Sequence, residues 1–177
     1  MKYFFILCLV FSFLSCTSVR VNYDYDQSTD FSSYRTYNYF SDMETGLSDL
    51  DTKRIIEAVD SLMQIKGIKL SEEPEFLVNI QSQSFYSPQN GSVGVGVGGT
   101  GGNVGGGVSI GVPLGSRSIE RELVFDLVDT QKNQLFWQAV SVSNLSDNVT
   151  PATREKKINE IVNKVFAKYP PIKKNQK

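Results

Sequence analysis

The residue best placed to undergo a defined chemistry is Cys16, which closes an apolar N-terminal run. Lys2 supplies a positive start, Tyr3 to Leu14 is an almost unbroken hydrophobic stretch, and Phe13-Leu14-Ser15-Cys16 resembles the lipobox cut by a lipoprotein signal peptidase. Phe13 and Leu14 stand where the commonest form has an aliphatic residue followed by a small one. The chemistry expected at Cys16 is thioether attachment of diacylglycerol, with a further acyl chain (typically palmitate) on the new amino terminus. The run holds about a dozen residues, whereas a spanning helix needs roughly 20, so it reads as a cleaved leader and not as a transmembrane anchor. Several acyl chains anchor a protein stably where one is marginal. Thr17 follows the cysteine in place of aspartate, which favours the outer membrane over the inner one.

Cys8 would leave with residues 1–15, so the mature chain carries no free thiol and no disulfide. Histidine is absent throughout. Ser-His-Asp and Cys-His arrangements and ordinary zinc sites therefore cannot be built, and the side chain most used for proton transfer near neutral pH is missing. Only carboxylates remain for acid-base work, and surface acids are the norm. Asp24, Asp26 and Asp30 approach the spacing of a calcium loop, but the central glycine is lacking and Arg35 occupies the place of the final glutamate. Glu72, Glu73 and Glu75 surround Pro74 and read as a charged loop entering a strand. Trp137 sits among strand residues and reads as packing, as do the aromatics of residues 23–40. The expectation is a protein that is not an enzyme, with no catalytic residue, no cofactor and no metal.

Without Lys2 the chain has 17 basic and 19 acidic residues, a net charge of −2 in no large block, which gives no electrostatic case for nucleic acid. Lys173, Lys174 and Lys177 form a basic tail over 171–177. Residues 16–170 have the length of one ordinary domain.

The elements that must position these residues follow from periodicity. Val19, Val21, Tyr23 and Tyr25 alternate with polar residues in a half-buried strand, and Tyr34 to Phe40 forms a second, with Tyr37 and Tyr39 on one face. Ser48 caps a helix carrying Ile55, Val59, Leu62 and Met63, and Gly67 stops it. Phe76, Val78 and Ile80 mark a third strand. Ser118 to Asp129 is a fourth, and Leu135 to Ser143 a fifth that pairs with it as a hairpin. Thr150 and Pro151 open a last helix bearing Ile158, Ile161, Val162, Val165, Phe166 and Tyr169, which Pro170-Pro171 ends. The order β-β-α-β-β-β-α with two amphipathic helices predicts an α+β two-layer sandwich, an antiparallel sheet with both helices on one face.

Between the third and fourth strands, residues 87–116 hold 12 of the 14 glycines and no charge. Gly94-Val95-Gly96-Val97-Gly98-Gly99 matches a dinucleotide fingerprint, yet more glycine and then a strand follow, where a phosphate site needs a helix N-terminus. The segment reads either as a disordered connection or as a hairpin extension. In the latter, Val93, Val95 and Val97 on one arm and Val108, Ile110 and Val112 on the other offer an uncharged ribbon to a membrane, a partner or its own copies.

Several short patterns occur in a specific order: Val-x-Val-x-Tyr-Asp, Phe31-Ser32-Ser33-Tyr34-Arg35-Thr36-Tyr37, Leu62…Lys66-Gly67, Pro74-Glu75-Phe76-x-Val78, Leu135-Phe136-Trp137 and Tyr169-Pro170. Over Val19 to Pro170 the chain thereby resembles the bacterial lipoprotein family defined by the domain of unknown function 4136. It departs from that pattern at Tyr39-Phe40, where a tryptophan is frequent, and at Glu75, where aspartate is. The resemblance implies a Gram-negative envelope lipoprotein with a glycine-rich insertion, and supplies no activity. The chain is therefore expected to be a lipid-anchored, periplasm-facing component of the outer membrane that binds or assembles with an envelope protein partner. The alternatives are self-association through the glycine-rich hairpin and a carboxylate-dependent hydrolase, which would need a concave site holding two acids.

Overall fold

A computed structural model describes residues 19–86, 92–94, 111–113, 119–144 and 149–172. Cys16, the leader, the basic tail and most of the glycine-rich segment lie outside them. The elements are β1 (Arg20–Tyr25), β2 (Thr36–Tyr39), helix α1 (Asp49–Ile65), β3 (Lys69–Leu70), β4 (Phe76–Tyr86), β5 (Ser92–Gly94), β6 (Gly111–Pro113), β7 (Ile119–Asp129), β8 (Gln134–Ser143) and helix α2 (Pro151–Val165), with short 3-10 turns at Phe31–Ser33 and Phe166–Lys168.

Both helices begin and end on local chemistry. The Ser48 hydroxyl accepts the Asp51 amide at 3.3 Å, and the Thr150 hydroxyl accepts the Thr153 amide at 3.3 Å, each satisfying an orphan donor of the first turn. At the end of α1 the Ile68 amide reaches the Met63 carbonyl (2.9 Å) and the Gly67 amide the Gln64 carbonyl (3.0 Å). This paired closure requires a left-handed residue, which Gly67 provides at φ +76°.

Six strands form one sheet in the order β1-β8-β7-β4-β2-β3. The antiparallel expectation is corrected here, because β2 runs parallel to both β4 and β3 and the sheet is mixed. The cause lies in the connection: α1 crosses over between β2 and β4, and a strand–helix–strand crossover returns the chain in its original direction. The strand order also gains β3 and the three-residue strands β5 and β6, which pair antiparallel with Val93 opposite Val112.

Phe76, Val78 and Ile80 of β4 and Leu123, Phe125 and Leu127 of β7 point to one face. There they meet Ile55, Val59 and Met63 of α1 and Ile158, Ile161, Val162 and Val165 of α2 in a single buried cluster. Each such fully buried side chain contributes about 1.5–3 kcal/mol against exposure. The register slips between β7 and β8, so that Leu127 faces Trp137 while Val128 faces Leu135. The extra residue is Phe136, and the bulge turns both Phe136 and Trp137 into the core where strict alternation would expose one of them. Leu135, two residues before Trp137, is half exposed as a result. Tyr34 stacks on Phe136 with centroids 4.2 Å apart, and Trp137 stacks on Phe166 at 5.3 Å. On the opposite sheet face Leu77, Val124, Val128, Val140 and Val142 are half-buried among Asn79, Asp126 and Gln138.

Candidate functional site

Beside the last two turns of α1 a groove of about 440 Å³ is lined by Tyr37, Asp60, Gln64, Gly67, Ile68, Lys69 and Leu70. Its position follows from the crossover: α1 lies over β2, stops at Gly67, and the chain turns back so that Lys69 and Leu70 pair with Thr36 and Tyr37. Asp60 borders the buried stripe of α1 next to Val59, and its Oδ1 accepts the hydroxyls of Tyr37 at 2.6 Å and Tyr39 at 2.7 Å. Burial raises both phenols far above the ordinary tyrosine range, and the hydrogen bond to Asp60 and its charge raise them further. Both hydroxyls therefore remain donors at neutral pH and neither can act as a base. The groove has an apolar wall in Ile68 and Leu70 and a polar floor in Asp60 and Gln64, with Lys69 on its lining. This composition and volume suit a small amphipathic ligand or a side chain of a partner.

Two further concavities hold pairs of acids. A groove of about 260 Å³ contains Asp24 and Asp26, and another of about 410 Å³ contains Asp42 and Glu44. The Asp26 carboxylate is occupied by the amide and hydroxyl of Ser28 and the hydroxyl of Thr29. The Ser28 contacts hold its pKa below the usual carboxylate range. Asp42 and Glu44 are both exposed. Asp129, buried where β7 ends, would be raised by desolvation, but the amides of Lys132 and Gln131 and the Tyr34 hydroxyl outweigh that and lower it. Burial likewise pushes Glu160 up, and hydrogen bonds from Lys157 and Lys164 bring it down. A carboxylate pair working by acid-base catalysis needs one member raised toward neutrality, and the displaced carboxylates described here all move the other way.

The remaining residues singled out from the sequence have structural work. Glu75 accepts the main-chain amides of Arg35 and of Thr36 (3.0 Å), which holds its pKa low and ties the start of β2 to the entry of β4. Glu72 and Glu73 are exposed and apart from it in role. Asp30 caps the 3-10 turn through the Ser32 amide at 3.1 Å, and the Asp24 carboxylate accepts the amide of its neighbour Tyr25. Among the described residues no group of three acids, cysteines or histidines could hold a metal ion. Trp137 is core. Of the fingerprint glycines only Gly94 is described, in β5 opposite Gly111. Cys16 lies outside the described residues, and no described helix is long and apolar enough to cross a membrane.

Asp60 escaped the sequence reading although Tyr37 and Tyr39 were placed on one face. The available signal was the β2-α1-β4 crossover itself, which lays α1 over β2 and sets an acid flanking its apolar stripe above that face.

The family model for the domain of unknown function DUF4136 matches residues 21–171. No curated protein matches the sequence. Among solved structures, a PDZ domain protein from Parabacteroides distasonis aligns with a TM-score of 0.58 at 14% identity, covering 96% of this chain and 40% of that protein. The chain thus spans less than half of that protein's length, and the likeness is one of fold. A PelC dodecamer from Paraburkholderia phytofirmans, in two crystal forms, aligns with a TM-score of 0.48 at 8% identity over 85% of this chain and 95% or 96% of the PelC chain.

Proposed function

The chain belongs to the family defined by the domain of unknown function DUF4136, and we propose that it is a lipid-anchored envelope protein that binds a partner and does not turn over a substrate. The anchor is Cys16, acylated after removal of residues 1–15, with the domain facing the periplasm from the outer membrane. Val19, three residues beyond Cys16, is already part of the core, so the tether is short and the domain stands close to the lipid surface. The observation that carries the binding reading is the groove lined by Tyr37, Asp60, Gln64, Ile68, Lys69 and Leu70, in which the Asp60 carboxylate, held by the Tyr37 and Tyr39 hydroxyls, lies beside an apolar wall. A carboxylate hydrolase gains no support from acids that are hydrogen-bonded and lowered.

The test compares the full chain with Cys16→Ser in cells fed a labelled fatty acid, followed by crosslinking in intact envelopes. Label on the wild type alone, with a crosslinked partner lost in Leu70→Asp and Gln64→Ala, is expected. Equal labelling of both, or a partner indifferent to the groove, would overturn the corresponding half of the reading. A second reading has one observation in its favour: the pairing of Val93 with Val112 between β5 and β6, which suits self-association through the glycine-rich hairpin. Deleting residues 90–115 would abolish association on that reading and spare it on the first.

A further inference from the structure

β1 is an edge of the sheet: it pairs with β8 on one side and with no described strand on the other. The Asp26 amide donates to the Phe136 carbonyl at 3.0 Å, continuing that pairing one residue past β1. Main-chain direction alternates along a strand, so Arg20, Asn22 and Asp24 turn their N–H and C=O groups toward β8 while Val21, Tyr23 and Tyr25 turn theirs outward. The Tyr25 amide is taken by the Asp24 carboxylate at 2.9 Å, leaving Val21 and Tyr23 as the outward pair.

The side chains of this edge are complementary to themselves. Arg20, Asn22 and Asp24 share the face away from the helices and are exposed; Val21 and Tyr23 share the helix face and are half-buried. We propose that the protein forms a two-fold dimer in which β1 pairs antiparallel with β1 of a second copy, centred on Asn22, joining two six-stranded sheets into one. In that register Val21 lies opposite the partner's Tyr23 and exchanges both main-chain hydrogen bonds with it. Asn22 lies opposite the partner's Asn22 on the axis, and Arg20 lies opposite the partner's Asp24. Arg20 and Asn22 fall at the positions where facing strands approach most closely, which favours side-chain pairing there.

Alternatives lose these contacts. Parallel pairing through this same edge sets outward-facing residues level with inward-facing ones, so it cannot place Arg20 opposite Asp24. A slip by one residue sets outward groups against inward ones and reverses the faces. A slip by two puts Arg20 opposite either Asn22 or Asp26, and the Asp26 carboxylate is already filled by Ser28 and Thr29. Arg20 reaches Glu120 at 2.8 Å, yet its side chain remains 67% exposed and keeps donors for a second acid. Beside the edge a largely apolar groove of about 340 Å³ is walled by Tyr23, Tyr25, Pro170, Pro171 and Ile172, with the Lys168 ammonium on its lining, 4.8 Å from the Tyr23 ring centroid. It adds apolar surface that edge hydrogen bonds alone do not bury, which a stable interface needs. The dimer rests on β1 and stands whether or not Cys16 is acylated or the α1 groove binds a partner.

The test is sedimentation of the full chain in detergent, with charge reversals at the two facing positions. Arg20→Asp alone and Asp24→Arg alone each set like charges opposite each other and should weaken self-association about tenfold, while the double variant restores it to within about threefold. Asn22→Cys should give a disulfide-linked dimer on oxidation that the unsubstituted chain does not, and Gln81→Cys, well inside the sheet, should not. Removal of residues 87–116 should leave the dimer intact. A protein monomeric at all concentrations, self-association indifferent to both reversals, no Asn22→Cys crosslink, or a dimer lost with residues 87–116 would each overturn the proposal. A small extended peptide captured by monomers at this edge would overturn it as well.

Discussion

Asp51, at the start of α1, is 2% exposed and is gripped by Arg154 of α2, while Arg54 one turn along α1 holds its other oxygen at 2.8 Å. The first turns of the two helices are thereby locked together over the sheet. Replacing Asp51 with alanine leaves two partly buried guanidinium groups facing each other, and breaking a buried pair from one side costs about 3–5 kcal/mol. Urea denaturation of Asp51→Ala should show that loss with little dependence on salt, because the pair is shielded from screening. A loss under about 1 kcal/mol would mean that the arginines find water.

Asp129 should contribute to the acid limb of stability. Its hydrogen bonds from Tyr34, Gln131 and Lys132 depress its pKa in the fold. A depressed carboxylate adds stability that is whole above the unfolded pKa of about 3.9 and is lost as pH falls through the folded value. Asp129→Asn should therefore be less stable than the wild type at pH 7, with the gap closing between about pH 5 and pH 2. Denaturation midpoints across that range measure it, and a constant gap would assign the loss to packing.

The ends of elements were legible because their signals are local. Ser48 with Gly67, and Thr150 with Pro151, mark both helices to within a residue or two, and alternation picked out the buried Tyr37, Phe76, Val78 and Ile80 but not Phe136, Ala139, Ser141 or Ser143 of β8. Beyond the hairpin of β7 and β8, partnership across the sheet was not legible: Tyr25 meets Trp137 more than a hundred residues away, and nothing near β1 specifies it. The bulge at Phe136 was hidden for the same reason, since a register is a property of two strands. The groove fell between these cases, with Tyr37 and Tyr39 on a predicted face and Asp60 supplied by a helix whose placement needed the parallel crossover.

At alkaline pH the fold should open in one step. Burial raises the phenols of Tyr34, Tyr37, Tyr39 and Tyr169, with Asp129 and Asp60 adding to the first three. Groups with raised folded pKa values add stability that is whole below the unfolded tyrosine pKa of about 10 and is lost as pH rises beyond it. Tyrosinate absorbance from these rings should thus appear together with loss of helical circular dichroism, and not before it. Tyr37→Phe with Tyr39→Phe should shift that transition to higher pH while weakening the fold near neutrality, by leaving Asp60 without its donors. Gradual ionisation of all tyrosines ahead of unfolding would contradict the buried network.

Two glycines with positive φ should differ in what they tolerate. Gly67, at φ +76°, has nothing within 4 Å of where a Cβ would stand, so Gly67→Ala meets only backbone strain, about 1 kcal/mol. Gly46, at φ +68°, would place its Cβ 3.0 Å from the Ser82 carbonyl oxygen of β4. That approach exists because the neighbouring Thr45 carbonyl accepts the Ser82 amide at 2.7 Å, which holds the loop against the strand. Gly46→Ala therefore adds a main-chain clash to the same strain and should cost clearly more than Gly67→Ala. Thermal unfolding of the two variants side by side decides the order, and equal losses would show that the loop at Thr45 can withdraw from β4 at little cost.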